Sequence, residues 1–209
     1  MNDKAFNFLF LRQMIGYLGI ILPVLVIIFG VLGQNGPEWY YSISATYYAN
    51  SGTVFTLIMG AVAFFLISYR MYSRLDSIVN FLAGVAALLI ILFPCYTTEL
   101  IHVGTFQTPV DLSATIHNIS ACVFFCLLAF NILFLFTRSS GNPTKEKLKR
   151  NRVYRICGLC ILFFMVLQVV LTLSPLTGPY TLINEAGMLI FFGVAWLVKG
   201  NALLRDNKQ

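Results

Sequence analysis

Apolar residues run along this chain in long unbroken stretches rather than in alternation. Six such stretches, at about 14–33, 52–70, 77–95, 115–137, 156–174 and 182–199, carry almost no charge. At a rise of about 1.5 Å per residue, helices of these lengths cover a hydrocarbon core of roughly 30 Å. Barrel strands would instead alternate apolar and polar residues over about ten positions. The first stretch follows Lys4 and Arg12, as a signal peptide would. It is too long for that role and no small-residue cleavage site follows, so it reads as a retained helix.

Composition narrows the class. Of the 209 residues, 58% are hydrophobic and 11% charged, against about a quarter charged in ordinary soluble domains. So little polar surface fits an integral membrane protein, and lipid leaves the backbone no partner but itself. The expected fold is therefore all-α: a polytopic membrane helix bundle with six transmembrane helices, one domain over 1–209. The longest connections, 34–51, 96–114 and 138–155, are too short for a separate soluble module.

Charge then gives the bundle a direction. Lys4 and Arg12 precede the first stretch, and Arg70 and Arg74 lie between the second and third. Arg138, Lys145, Lys147, Lys149, Arg150, Arg152 and Arg155 fill the connection from the fourth to the fifth. Lys199, Arg205 and Lys208 close the chain. In a six-span layout all 14 basic residues fall on one side, with Asp3, Asp76, Glu146 and Asp206. Glu38, Glu99, Asp111 and Glu185 fall on the other with no cation. The positive-inside rule places both termini in the cytoplasm. A net charge of +6 thus has a topological cause and does not imply nucleic acid. Lys145, Lys147, Lys149, Arg150, Arg152 and Arg155 are expected to meet anionic lipid headgroups, at about 1 kcal/mol per basic residue.

The apolar interior carries Asn80, Asn131 and Gln168 but no charged side chain well inside a span. That counts against proton-coupled transport and a charge-lined pore; the amides are expected to join helices. Cys157 and Cys160 form a CxxC within an apolar helix, where the pair reads as small packing residues rather than a redox couple.

Candidate chemistry collects on the acidic side. The segment ELIHVGTFQTPVDLSATIHN, 99–118, holds both histidines. His117 lies about one turn inside the fourth stretch, on one helical face with Ser113 and Ser120. If that face turns inward, His117 could meet Glu185, with His102 and Asp111 closing over them. Two His and one or two carboxylates would suit an open metal site or acid–base work on a lipid headgroup. No HxxxH or HExxH spacing supports this, and no motif names a cofactor. Helix capping also accounts for Asn50, Ser51, Asp111, Ser113, Thr181 and Glu185. Trp39, Tyr40, Tyr41, Tyr47 and Tyr48 suggest an interfacial aromatic belt, or a short surface helix presenting Ser42, Ser44 and Thr46.

The segments SISATYY, FFLISYR, NILFLFTRS, KRNRVYRICG and WLVKG resemble a group of small uncharacterised bacterial six-span integral membrane proteins, over about residues 12 to 200. A more distant likeness is to the DRAM/Sfk-type six-span family, by layout alone. The resemblance implies a multi-pass protein of the bacterial cytoplasmic (inner) membrane and supplies no catalytic residue. The favoured expectation is a non-enzymatic protein acting in sensing, lipid interaction or complex assembly, its partners being membrane lipids, a second copy or another membrane protein. The alternative is an intramembrane hydrolase or lipid-modifying enzyme using His117, His102, Asp111 and Glu185. A third is a small oligomeric channel or membrane-perturbing effector.

Overall fold

The six apolar stretches are six α-helices in the computed structural model, which describes residues 3–33, 41–69, 73–139, 141–174 and 178–204, with side chains from Phe8 onward. They are α1 (Asp3–Leu32), α2 (Gly52–Ser68), α3 (Arg74–Leu92), α4 (Val110–Phe130), α5 (Lys145–Thr172) and α6 (Tyr180–Lys199). A 3-10 helix, Ser44–Tyr48, precedes α2. A small antiparallel hairpin, β1 (His102–Val103) with β2 (Thr108–Pro109), leads into α4. Glu38, Trp39, Tyr40, Arg70, Arg205, Asp206 and Lys208, and the side chains of Asp3 and Lys4, lie outside the described residues.

Five helices are long and apolar enough to cross a membrane. The sixth, α2, is apolar throughout but has 17 residues, or about 25 Å of helix. Three boundaries correct the sequence reading. α1 starts at Asp3, well before residue 14. α5 starts at Lys145, so the basic run expected in a loop forms its first turns. Thr144 causes this start, because its side chain accepts a hydrogen bond from the N–H of Lys147 and Glu146 favours the first turn. Hydropathy alone does not register a cap in a polar stretch. α4 likewise begins at Val110 rather than near 115, directly after Pro109. It ends in a π-helical turn, Asn131–Leu135, where the N–H of Phe136 reaches back to the carbonyl of Asn131 at 2.9 Å.

Each helix packs against its neighbours in sequence, and α6 returns to α1, closing a ring. Small residues set the closest approaches, as they do between helices in lipid. A Cβ on Gly193 would stand 2.6 Å from the carbonyl of Gly16, and one on Gly84 would stand 2.7 Å from that of Ala63. Inside the ring, Trp196 packs edge-on against Tyr69 and Phe136, with centroids 5.0 and 5.1 Å apart, and Phe192 lies at 6.1 Å. All four rings are fully buried. α5 is the least enclosed helix and turns Ile156, Leu159, Phe163, Val166 and Val170 outward.

Side-chain bonds fix the helix directions. Arg12 near the start of α1 reaches Tyr69 at the end of α2 (2.6 Å). Arg138 beyond α4 pairs with Asp76 at the start of α3 (3.7 Å), and Arg150 near the start of α5 reaches Asn201 beyond α6 (3.2 Å). The helices therefore alternate up and down. Arg12, Arg74, Arg138, Lys145, Lys147, Lys149, Arg150, Arg152, Arg155 and Lys199 belong to one end of the bundle; Glu99, His102, Asp111, His117 and Glu185 belong to the other.

Candidate functional site

The acidic end gathers the side chains that the sequence marks for chemistry, and the structure gives each a separate environment. Along the first turns of α4, Ser113, His117 and Ser120 share one face, as their spacing predicts, and that face is buried. That face turns toward the end of α3. The Nδ1 of His117 lies 3.1 Å from the carbonyl oxygen of Ile90 and 3.0 Å from that of Phe93. Carbonyls only accept, so Nδ1 carries the proton and donates to both. Helix C-termini leave their last carbonyls without intrahelical partners, and His117 supplies them. The Ser113 hydroxyl extends the cap by donating to the carbonyl of Pro94 at 2.8 Å.

Glu185 lies elsewhere. Its carboxylate accepts from the backbone N–H of Ile43, and from both the backbone N–H and the hydroxyl of Ser44 at 3.2 Å. These amides open the 3-10 helix Ser44–Tyr48, where an acceptor satisfies orphan donors. The same loop returns a bond, the carbonyl of Tyr41 accepting the N–H of Leu182 in the first turn of α6 (3.0 Å). The segment around SISAT forms a short 3-10 helix, but it does not present its hydroxyls: Thr46 within it is fully buried, Ser42 just before it nearly so, and Ser44 bonds Glu185.

His102 is exposed on the hairpin and Asp111 is exposed in the first turn of α4. The hairpin seats on the end of α3 through Gly104, at φ +73, where a Cβ would stand 2.6 Å from the carbonyl of Leu92. His117 and Glu185 thus bond different backbone segments, and His102 and Asp111 sit on the surface between hairpin and helix. Among the described residues, no group of three or more His, Cys, Asp or Glu is placed to hold a metal ion.

The expected caps are redistributed as well. Ser51 precedes α2 without a side-chain cap bond, and Pro109 and Pro179 occupy the N-cap positions of α4 and α6. For α4 and α6 an acceptor comes from farther along the chain, the carbonyls of Ile101 and Tyr41 taking the N–H groups of Val110 and Leu182, a pairing invisible to a search for local capping sequences.

Two polar joints lie between the ends. The side-chain amide of Asn131, in the π turn, donates to Asn80 Oδ1 at 2.7 Å, and Asn80 donates to the carbonyl of Asp76 at 2.7 Å. Gln168 donates to Thr181 and accepts from Asn184, both at 3.0 Å, joining α5 to α6.

The basic end is the other candidate. Lys145, Lys149, Arg152 and Arg155 are exposed on α5, whereas Lys147 and Arg150 turn inward and are partly buried. Lys147 Nζ donates to the carbonyl of Phe136 at 2.7 Å, and Lys199 Nζ sits 4.8 Å above the ring of that same phenylalanine. Sequence reading grouped the cations of α5 and missed that Arg12 and Lys199 join two of them. The closing charge on α6 and the one opening α1 carried the signal, but only the ring closure brings them together.

Fold and sites together define an all-helical protein whose apolar helices are compatible with integral membrane residence. Compared with known proteins, the chain matches no family model, no curated protein and no solved structure.

Proposed function

We propose that this is a six-span protein of the bacterial cytoplasmic membrane, with both termini in the cytoplasm, that acts without catalysis. Its role is to hold anionic lipid headgroups at the basic end, and through them to serve membrane sensing or the assembly of a larger complex. One observation carries this reading. Every described basic side chain belongs to one end of an alternating bundle, while Glu99, Asp111, Glu185 and both histidines belong to the other. That asymmetry supports the basic end as the inner one and gives it a surface for acidic lipid. The acidic end supports the non-catalytic part, since His117 and Glu185 both bond backbone groups. α2 falls short of a full hydrocarbon thickness by about one turn, which local thinning accommodates at modest cost.

Two measurements test it. In a variant with the five native cysteines replaced, a cysteine at Gln107 should react with a membrane-impermeant maleimide on intact cells, and one at Asn142 only after lysis. The reverse pattern would overturn the orientation, and labelling of both the span count. In nanodiscs, phosphatidylglycerol should raise the melting temperature above that in phosphatidylcholine, by an increment that shrinks as salt rises. Equal stability in the two lipids would remove the headgroup role.

A further inference from the structure

The outward faces of the helices are not alike. On α3, α5 and α6 the exposed positions well inside the helix are aliphatic or aromatic, as at Phe81, Leu82, Leu159, Phe163, Val166 and Ile190. α4 departs from this pattern. Asp111, Thr115, Asn118, Cys122 and Cys126 are all exposed on it. Their spacing of four, three, four and four residues sets them in one ridge along the helix. The thiol of Cys126 lies within hydrogen-bonding reach of that of Cys122.

Asn118 is the member of this ridge that lipid tolerates least. With its π turn α4 runs for 26 residues, Val110–Leu135, which is about 39 Å of helix against a hydrocarbon core of roughly 30 Å. Asn118 stands about 12 Å from the helix start, and so about 7 Å inside a centred core. Thr115 is satisfied within its own helix, donating to the carbonyl of Asp111 at 2.8 Å. Asn118 makes no hydrogen bond among the described residues. An amide open to hydrocarbon is costly, and one that meets another amide across a helix contact is not.

We propose that this ridge is where a second copy of the chain docks, α4 against α4, with the Asn118 side chain of each copy bonded to its counterpart. Any occupant must offer a polar group at the depth of Asn118. Two copies in the same orientation, related by a twofold axis along the membrane normal, bring like residues together at equal depth, and an amide both donates and accepts. The small side chains of Cys122 and Cys126 let the two backbones approach, as small residues do between helices in lipid. Four-residue spacing inclines the ridge to the helix axis. The two helices therefore cross near Asn118 and Cys122 and diverge toward Asp111, which keeps the two carboxylates apart. The dimer goes beyond the lipid-binding reading and rests on the part of it that makes α4 a span.

The test is oxidation by copper phenanthroline of the protein in its native membrane, read as covalent dimer on a denaturing gel. Cys126→Ala keeps one ridge thiol, so no bond can form within the ridge, and should give dimer through Cys122. Cys122→Ala/Cys126→Ala should give none, with Cys95, Cys157 and Cys160 still in place. Equal dimer in the two variants, or none in either, would overturn the α4 contact. Asn118→Leu leaves every cysteine alone and gives an independent variant should the alanine changes disturb folding, as judged by melting in detergent. It should raise the dimer dissociation constant in density-matched detergent about threefold to tenfold, with a melting temperature no lower than that of wild type. Wild type that sediments as a monomer, or an Asn118→Leu protein that associates as tightly as wild type, would also overturn the dimer. Maleimide labelling at Gln107 and Asn142 separates this failure from that of the span reading. A monomer labelled on opposite sides removes the dimer alone, and labelling of both positions from outside removes the span and the dimer with it.

Discussion

Ser44 gives Glu185 two hydrogen bonds, one from its backbone N–H and one from its hydroxyl, each 3.2 Å long and spanning 141 residues of chain. With the amide of Ile43 added, the carboxylate closes the N-terminus of a helix to which it does not belong. Removing it leaves two amides at a partly buried helix start, a loss of about 1–3 kcal/mol. Glu185→Ala should lower the melting temperature in detergent clearly, and Glu185→Gln by less, since the amide oxygen still accepts. An unchanged melting temperature in Glu185→Ala would mean that these bonds contribute nothing. A Glu185→Gln variant as damaged as Glu185→Ala would point to the charge rather than the cap.

His117 does for α3 what Glu185 does for the 3-10 helix, with the polarity reversed. Its Nδ1–H serves the carbonyls of Ile90 and Phe93 at a buried helix end. His117→Ala should cost about 1–3 kcal/mol, and His117→Asn, which keeps a donor near Nδ1, should recover part of it. With protein levels restored, a cellular phenotype should survive in both variants. Loss of phenotype in a His117→Asn protein of normal stability would return His117 to the chemical reading.

The contrast between what the sequence foretold and what it did not follows from range. Apolar stretch length and the one-sided placement of lysine and arginine act over a single helix, so the number of helices and the division of charge by end were legible. That Ser113, His117 and Ser120 share one helical face was legible too, because helical spacing is local. What that face meets was not. The partners of His117 lie 24 and 27 residues away, and those of Glu185 lie more than 140 away. Pairing at that separation depends on how the ring closes, which no spacing rule encodes. The early start of α5 escaped for a different reason: Thr144 acts through a single side-chain bond, to which hydropathy is blind.

The Asn80–Asn131 bond, 2.7 Å long between two fully buried side chains, joins α3 to the π turn after α4. A hydrogen bond between helices in lipid contributes about 1 kcal/mol, somewhat less on average. A double-mutant cycle with Asn80→Leu and Asn131→Leu should yield a coupling energy of about 0.5–2 kcal/mol, the double variant being less impaired than the sum of the singles. Asn131 Oδ1 has no hydrogen-bond partner among the described residues, so the Asn131 single variant should cost less than the Asn80 one. Strict additivity would show that the bond contributes no coupling.

The closure of the ring is itself open to test, because two glycines in similar helices have opposite surroundings. Gly193 of α6 faces Gly16 of α1 so closely that a Cβ would lie 2.6 Å from the carbonyl of Gly16 and equally near Ile20. Backbone cannot retreat from that overlap without separating the two helices. Gly60 of α2 has open space by comparison, its would-be Cβ meeting only the end of Ile91 at 3.8 Å. Gly193→Ala should therefore destabilise by about 1–3 kcal/mol through overpacking. Gly60→Ala should be neutral, or stabilising by up to about 1 kcal/mol through helix propensity. Thermal unfolding of the two variants side by side in one detergent reads the difference directly. A Gly193→Ala protein as stable as Gly60→Ala would mean that α1 and α6 do not approach at these residues, and the ring would then be open on that side.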